Sequence, residues 1–298
     1  MNPAYKIFFG LSMLLMVGAI ISLATYGLRF SADFKGGSVM ELSFSGQRPP
    51  IEQFRTTVGT IQGVEGLSVN AAGEKNLILR SNALTEETHQ ELLTELKKTY
   101  ADLTEERFDS IGPSIGSELK QKSLTAMIVL LIVIVIYLSI VFSAMRRVLP
   151  PVALGLAGIF ALIHDLIIPL GVFAILSHRG IVEIGAVFVA AALTILGYSI
   201  SDTVVVFDRV RENVIRFGTK ESFPQLVHRS VMQTLARSIN TSVTTLLALV
   251  AIFFFGGESV KYFALALIIG VVSGTYSSIF IAAPILVWWS QWRSKKTA

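Results

Sequence analysis

The chain has 298 residues, of which 52% are hydrophobic and 15% charged, with a formal net charge of +4. Soluble domains carry about 25% charged residues, and a mean hydropathy of +0.64 is too high for a chain that water must dissolve. The balance excludes a plain cytosolic enzyme and a disordered protein. With no cysteine, disulfide scaffolds, iron–sulfur clusters and cysteine-ligated zinc are excluded as well.

A helix crossing the hydrocarbon core needs about 20 mostly apolar residues. Six segments qualify, roughly 7–28, 124–144, 150–176, 181–206, 236–256 and 262–289. The first has only Lys6 before it and no small-residue cleavage site directly after it, so it reads as a retained membrane helix rather than a signal peptide.

Between the first and second spans lies a segment of different composition, residues 30–122. From residue 29 to 122 it holds fourteen Asp and Glu against eleven Lys and Arg. Ser38–Phe44 reads as a strand, and Pro49–Pro50 open a helix over Ile51–Thr60. Gly63–Ala71 and Gly73–Arg80 read as strands, Leu84–Tyr100 as an amphipathic helix starting near Thr85, and Leu103–Ile111 as a fourth strand. The order βαββαβ predicts a ferredoxin-like α+β domain. The whole is a polytopic α-helical membrane protein: span one (1–29), this domain (30–122), then five spans (123–298). A cytoplasmic loop is expected at about 207–235, where apolar residues among Arg and Lys suggest short helices on the membrane surface.

Basic residues in short loops set orientation. Lys6, Arg146, Arg147, Arg209, Arg211, Arg216, Lys220, Arg229, Arg237, Arg293, Lys295 and Lys296 fall on the side of the termini, against Arg179 and Lys261 opposite. Both termini are therefore expected in the cytoplasm and residues 30–122 outside. Trp288, Trp289 and Trp292 suit an interfacial belt. The basic excess reads as a topology signal, not a nucleic-acid footprint.

The informative residues are charges inside apolar runs, because a charge in the bilayer costs from a few to more than ten kcal/mol. Asp202 lies in the fourth span and Arg237 at the start of the fifth. Consecutive spans run antiparallel, so the two should share a depth and are expected to pair. A carboxylate whose protonation responds to burial and to a nearby cation suits proton carriage; a structural ion pair is the plainer reading. Asp165 sits mid-span beside His164. Adjacent helical residues do not face the same way, so the two are expected to act separately, in helix packing or as a secondary relay. Gly270 and Gly274 form a GxxxG pair for close helix packing. The residues indicate no catalytic group, metal site or organic cofactor. An aspartyl protease dyad of Asp165 and Asp202 lacks the Gly-x-Gly-Asp context, His164 and His178 lack a nucleophile elbow, and there is no phosphate loop.

Five blocks in order resemble the SecF family of the bacterial Sec protein-export machinery (SecD/SecF, resistance–nodulation–division superfamily). They are Asp33-Phe34-Lys35-Gly36-Gly37, His164–Asp165, Gly197–Asn213 (GYSISDTVVVFDRVREN), Arg237–Leu246 (RSINTSVTTL) and Gly270–Phe280 (GVVSGTYSSIF). About 90 exported residues match SecF rather than SecD, whose exported region is much larger. The resemblance implies an accessory translocase subunit in the cytoplasmic (inner) membrane. Its partners would be SecD, the SecYEG channel, the translocating unfolded polypeptide and lipid, with no nucleic acid. It also implies that the proton motive force promotes export, with Asp202 and Arg237 as the relay and Asp33, Phe34, Gly36 and Gly37 as the domain-junction motif. Sodium is the alternative coupling ion. The alternative function is a half-transporter of the same superfamily for a small molecule or lipid, although about 90 exported residues build a poor substrate tunnel.

Overall fold

The computed structural model describes residues 3–143, 150–218 and 220–297. Arg146 and Arg147 of the topology argument lie outside them, as do the side chains of Lys295 and Lys296. The chain divides into two compact units, Phe30–Leu124 and the remainder, Met1–Arg29 with Thr125–Ala298.

The smaller unit is a four-stranded sheet with two helices. In chain order it holds α2 (Ala32–Lys35), β1 (Gly37–Phe44), α3 (Ile51–Gly59), β2 (Ser68–Ala72), β3 (Asn76–Ser81), α4 (Glu86–Thr99) and β4 (Leu103–Ile111). The sheet order is β2-β3-β1-β4, with every neighbouring pair antiparallel. Each βαβ connection therefore spans one intervening strand, the double split arrangement expected from the element order. Alternation along β1 turns Met40, Leu42 and Phe44 inward against Phe54 and Val58 of α3 and Leu92 and Leu96 of α4. The Thr85 hydroxyl caps α4 by accepting from the Thr88 N–H, 3.3 Å. Glu86 and Glu87 lie in the first turn and Lys97 and Lys98 in the last, each at the end of the helix dipole that favours its charge.

The larger unit holds α1 (Pro3–Tyr26), most of α5 (Pro113–Val141), α6 (Pro151–His178), α7 (Ala186–Phe217), α8 (Phe223–Phe255) and α9 (Glu258–Ser277). A π-helical turn, Ser278–Ala282, and α10 (Ala283–Thr297) complete it. Among the described residues, six helical stretches are long and apolar enough to cross a membrane, the last running through α9, the π turn and α10. That last stretch is central and mostly buried within the unit, whereas α1 and α5 leave most of their apolar residues exposed. α1 packs on α6 through Gly171, where a Cβ would come within 2.4 Å of the Ala19 Cβ. Ser22 adds a hydrogen bond to the Gly171 carbonyl, 2.9 Å.

No separate surface helices form at 207–235. α7 continues to Phe217 and α8 starts at Phe223 with Ser222 and Gln225 as a capping box, leaving only a short loop. Of the apolar residues assigned to surface helices, Leu226 and Val227 are buried and Val214 and Phe223 pack on the core, while Ile215 stays exposed. The Asn213 amide joins the two helices by donating to Ser230 Oγ at 2.8 Å and Gln233 Oε1 at 2.9 Å.

Candidate functional site

Asp202 sits on α7, half-buried, where α8 and the π turn approach. Its Oδ1 accepts a hydrogen bond from Ser238 Oγ of α8 and its Oδ2 one from Ser278 Oγ, the first residue of the π turn, each at 2.5 Å. Three elements thus converge on one carboxylate, and both donors are buried. Beside it, the Tyr198 hydroxyl donates to Ser242 Oγ at 3.0 Å, and Ser242 meets Thr275 Oγ1 at 2.5 Å, continuing a polar seam between α7, α8 and α9.

The expected Asp202–Arg237 ion pair is absent from this arrangement. Arg237 is exposed, and among the described residues no carboxylate lies within ion-pair distance of it. The residue facing Asp202 is its neighbour Ser238, about 100° further round the helix. Ser238 and Ser242, one turn apart, form the narrow face of α8 that packs inward; a serine fits that close approach and an arginine does not. Arg237, Asn240, Thr241 and Thr244 form an exposed polar stripe at helical spacing on the other side.

Asp165 is the second site. It is fully buried, as is His164. The two act as one unit, contrary to the expectation from their adjacency: His164 Nδ1 lies 2.8 Å from Asp165 Oδ1. Backbone directions diverge by about 100° per residue, but both side chains are long enough to turn toward each other where no water competes for them. Asp165 Oδ2 accepts from Ser199 Oγ of α7 at 2.5 Å and from Ser277 Oγ of α9 at 2.6 Å. His164 Nε2 meets Ser12 Oγ of α1 at 2.6 Å. Ser12 and the paired roles of Ser277 and Ser278 were not legible in the sequence, because a serine in an apolar span gives no azimuth.

Gly270 and Gly274 lie where α9 meets α7. A Cβ on Gly270 would come within 2.3 Å of Ile195, and one on Gly274 within 3.1 Å of the Ser199 Cβ. Their closeness brings Ser277 and Ser278 within reach of the two carboxylates. In the smaller unit, Asp33 and Phe34 belong to α2, with Phe34 buried. Gly36 and Gly37 take φ of 77° and 143°, and their Cβ atoms would meet Pro113 Cα at 2.6 Å and the Ser81 carbonyl at 2.8 Å. Positive φ and backbone contact together demand glycine there. The pair packs the start of β1 against the end of β4, where Gly37 registers with Ile111. Among the described residues, no three His, Asp or Glu side chains converge as a metal site.

Fold and site define a multi-pass membrane protein that carries one small α+β unit and two carboxylates, one buried and one half-buried, held by hydroxyls from several helices. The family described as "Protein export membrane protein SecD/SecF, C-terminal" matches residues 91–292, and the "SecD/SecF GG Motif" matches residues 21–47. The chain is 39% identical to the "Protein translocase subunit SecF" of Thermobaculum terrenum, over 95% of this chain and 91% of that one. It is also 39% identical to that of Synechocystis sp., over 96% and 92%. Among solved structures it resembles "SecDF, a translocon-associated membrane protein" from Thermus thermophilus, with a TM-score of 0.82 and 31% identity. That match covers 96% of this chain but only 38% of the solved one. The chain belongs to the SecD/SecF family of protein-export membrane proteins.

Proposed function

We propose that Asp202 is a protonation switch through which the proton gradient drives this subunit's part in protein export. By family, the chain is an accessory subunit of the Sec translocase. Its proposed partners are SecD, the SecYEG channel and the polypeptide in transit, with both termini cytoplasmic and residues 30–122 outside. One observation carries the reading: a carboxylate inside a membrane-spanning helix with a hydroxyl from a different helix on each oxygen. Ionised, it accepts from both serines. Protonated, it must itself donate, so one serine has to turn its hydrogen elsewhere. Ser278 has that alternative, because its Oγ also lies 3.0 Å from the Thr275 carbonyl.

Protonation therefore loosens the tie between α7 and the π turn, and the two states favour different helix arrangements. Arg237, beside Ser238, would take the carboxylate when α8 rotates, exchanging a hydroxyl contact for an ion pair. The exposed polar stripe on α8 supports a neighbouring helix there, since Arg237 in lipid would be costly. The chain passes between its units at residues 29–30 and 124–125, and helix movement would reach the exported unit through these links. The test uses inner-membrane vesicles containing the assembled complex at fixed ATP. Asp202→Asn and Arg237→Met should lower precursor translocation with the gradient imposed to the level seen without it. Full gradient stimulation in both variants would refute the relay.

A further inference from the structure

We propose that the His164–Asp165 dyad is a second proton-binding site, buried in the membrane unit and coupled to Asp202 through Ser277 and Ser278. The coupling rests on the relay reading of Asp202; the proton site itself does not. An isolated charge at a fully buried site is expensive, yet no cation other than His164 pairs with Asp165 among the described residues. The groups facing the dyad are hydroxyls: Ser12 on α1, Ser199 on α7 and Ser277 on α9. Along α7 the flanking ionisable groups are Tyr198, whose hydroxyl donates to Ser242 Oγ, and Asp202, one turn beyond Ser199. On α9, Tyr276 points away, its hydroxyl donating to the Phe8 carbonyl at 2.5 Å.

Charge counting then assigns the proton. With neutral His164 donating from Nδ1 to Asp165, Nε2 accepts from Ser12 and the dyad carries one negative charge. One added proton on Nε2 makes the imidazolium–carboxylate pair neutral overall. It also reverses the Ser12 contact, so that Nε2–H donates to Ser12 Oγ and the serine hydrogen turns to a backbone carbonyl of its own helix. No other bond is made or broken, and the proton comes from water or from Asp202. The neutral form is the one a buried site favours.

The connection to Asp202 is geometric. Ser277 and Ser278 are consecutive, yet they donate to different carboxylates, Asp165 and Asp202. They stand where α9 gives way to the π turn, and π turns inside helices are frequent at functional sites. Each serine also has a backbone carbonyl in reach: Gly274 at 3.1 Å for Ser277 and Thr275 at 3.0 Å for Ser278. Protonation of Asp202 therefore frees the Ser278 hydroxyl beside Ser277, and a proton on His164 weakens the hold of the still-ionised Asp165 on Ser277 at the same junction.

The chain has four histidines, few enough to resolve by 15N NMR of the imidazole rings in the full chain reconstituted in nanodiscs. Asp202→Asn protein should retain a ring signal that changes protonation state with pH, that disappears in His164→Gln, and whose Nε2 resonance alone moves in Ser12→Ala. Asp165→Asn should weaken proton binding at that ring about tenfold or more. A His164 ring that keeps one neutral tautomer at every pH where the protein is folded would overturn the proposal, as would proton binding unchanged by Asp165→Asn. Ser12→Ala identifies the signal if the dyad variants do not fold. Full gradient-driven export by Asp202→Asn with this titration intact would refute the relay and leave the dyad standing.

Discussion

Each unit sets a buried histidine against a carboxylate, and the two sites differ in their surroundings. In the smaller unit, His89 Nε2 of α4 meets Glu105 Oε1 of β4 at 2.7 Å, with the ring stacked on Phe108 at 3.6 Å. The Glu105 side chain keeps 18% of its surface exposed, so water shares its solvation. In the membrane unit, the His164 and Asp165 side chains are 1% and 0% exposed. Every lone pair and proton there must be matched by the protein, and three serines from three helices do so. Similar chemistry thus serves as a clip between helix and strand in one place and as the centre of a helix bundle in the other. Solvent access, not residue type, separates the two.

The contrast is sharpest on removal of one carboxylate. Asp165→Ala leaves His164, Ser199 and Ser277 without their acceptor, and should cost about 3–5 kcal/mol, as breaking a buried pair does. Thermal unfolding of the purified full chain in detergent measures it; a loss below that of Glu105→Ala would erase the distinction. Next in size is the glycine contact that lets α1 approach α6. Gly171→Ala should cost about 1–3 kcal/mol because its Cβ meets the Ala19 Cβ and the backbone behind it. Gly10→Ala, where nothing lies within 4 Å, should be neutral or stabilise by up to about 1 kcal/mol. Equal effects would show that helix propensity, not packing, governs the span.

Glu105→Ala, in the unit water reaches, should cost only about 1 kcal/mol, read as faster hydrogen exchange confined to β4 and α4 in the full chain. The smallest effect concerns Glu86, where the Gln90 amide, 2.7 Å away, holds the carboxyl below its usual range, with His89 adding to this. A depressed carboxyl contributes stability above its unfolded value and loses it as pH falls through the folded one. Exchange protection of α4 should therefore decline slightly on acidification through the carboxylate range, and Glu86→Gln should remove that part of the slope.

Much of this architecture could be read locally. Four strands and two helices of the small unit follow from alternation, a Thr cap and Gly and Pro punctuation, and β4 runs from Leu103 to Ile111 as expected. The ends of α7 and α8 were less legible, because Val214, Leu226 and Val227 look like a surface-seeking apolar face until a partner helix covers them. The carboxylates Asp165 and Asp202 stood out as charges in apolar runs. Their partners did not: Ser12 is 152 residues from His164, and Ser278 is 76 from Asp202.

Hydropathy and period, which are properties of neighbouring residues, determined the six spans, the inserted βαββαβ unit and the presence of two acids that the membrane would not tolerate unpartnered. Only the tertiary structure decided that Ser238 rather than Arg237 meets Asp202, that His164 and Asp165 form a dyad, and that a π turn divides Ser277 from Ser278. Those outcomes depend on how far each helix is rotated about its axis. Close packing at Gly171, Gly270 and Gly274 sets that rotation between segments far apart in the chain, where no local pattern can register it.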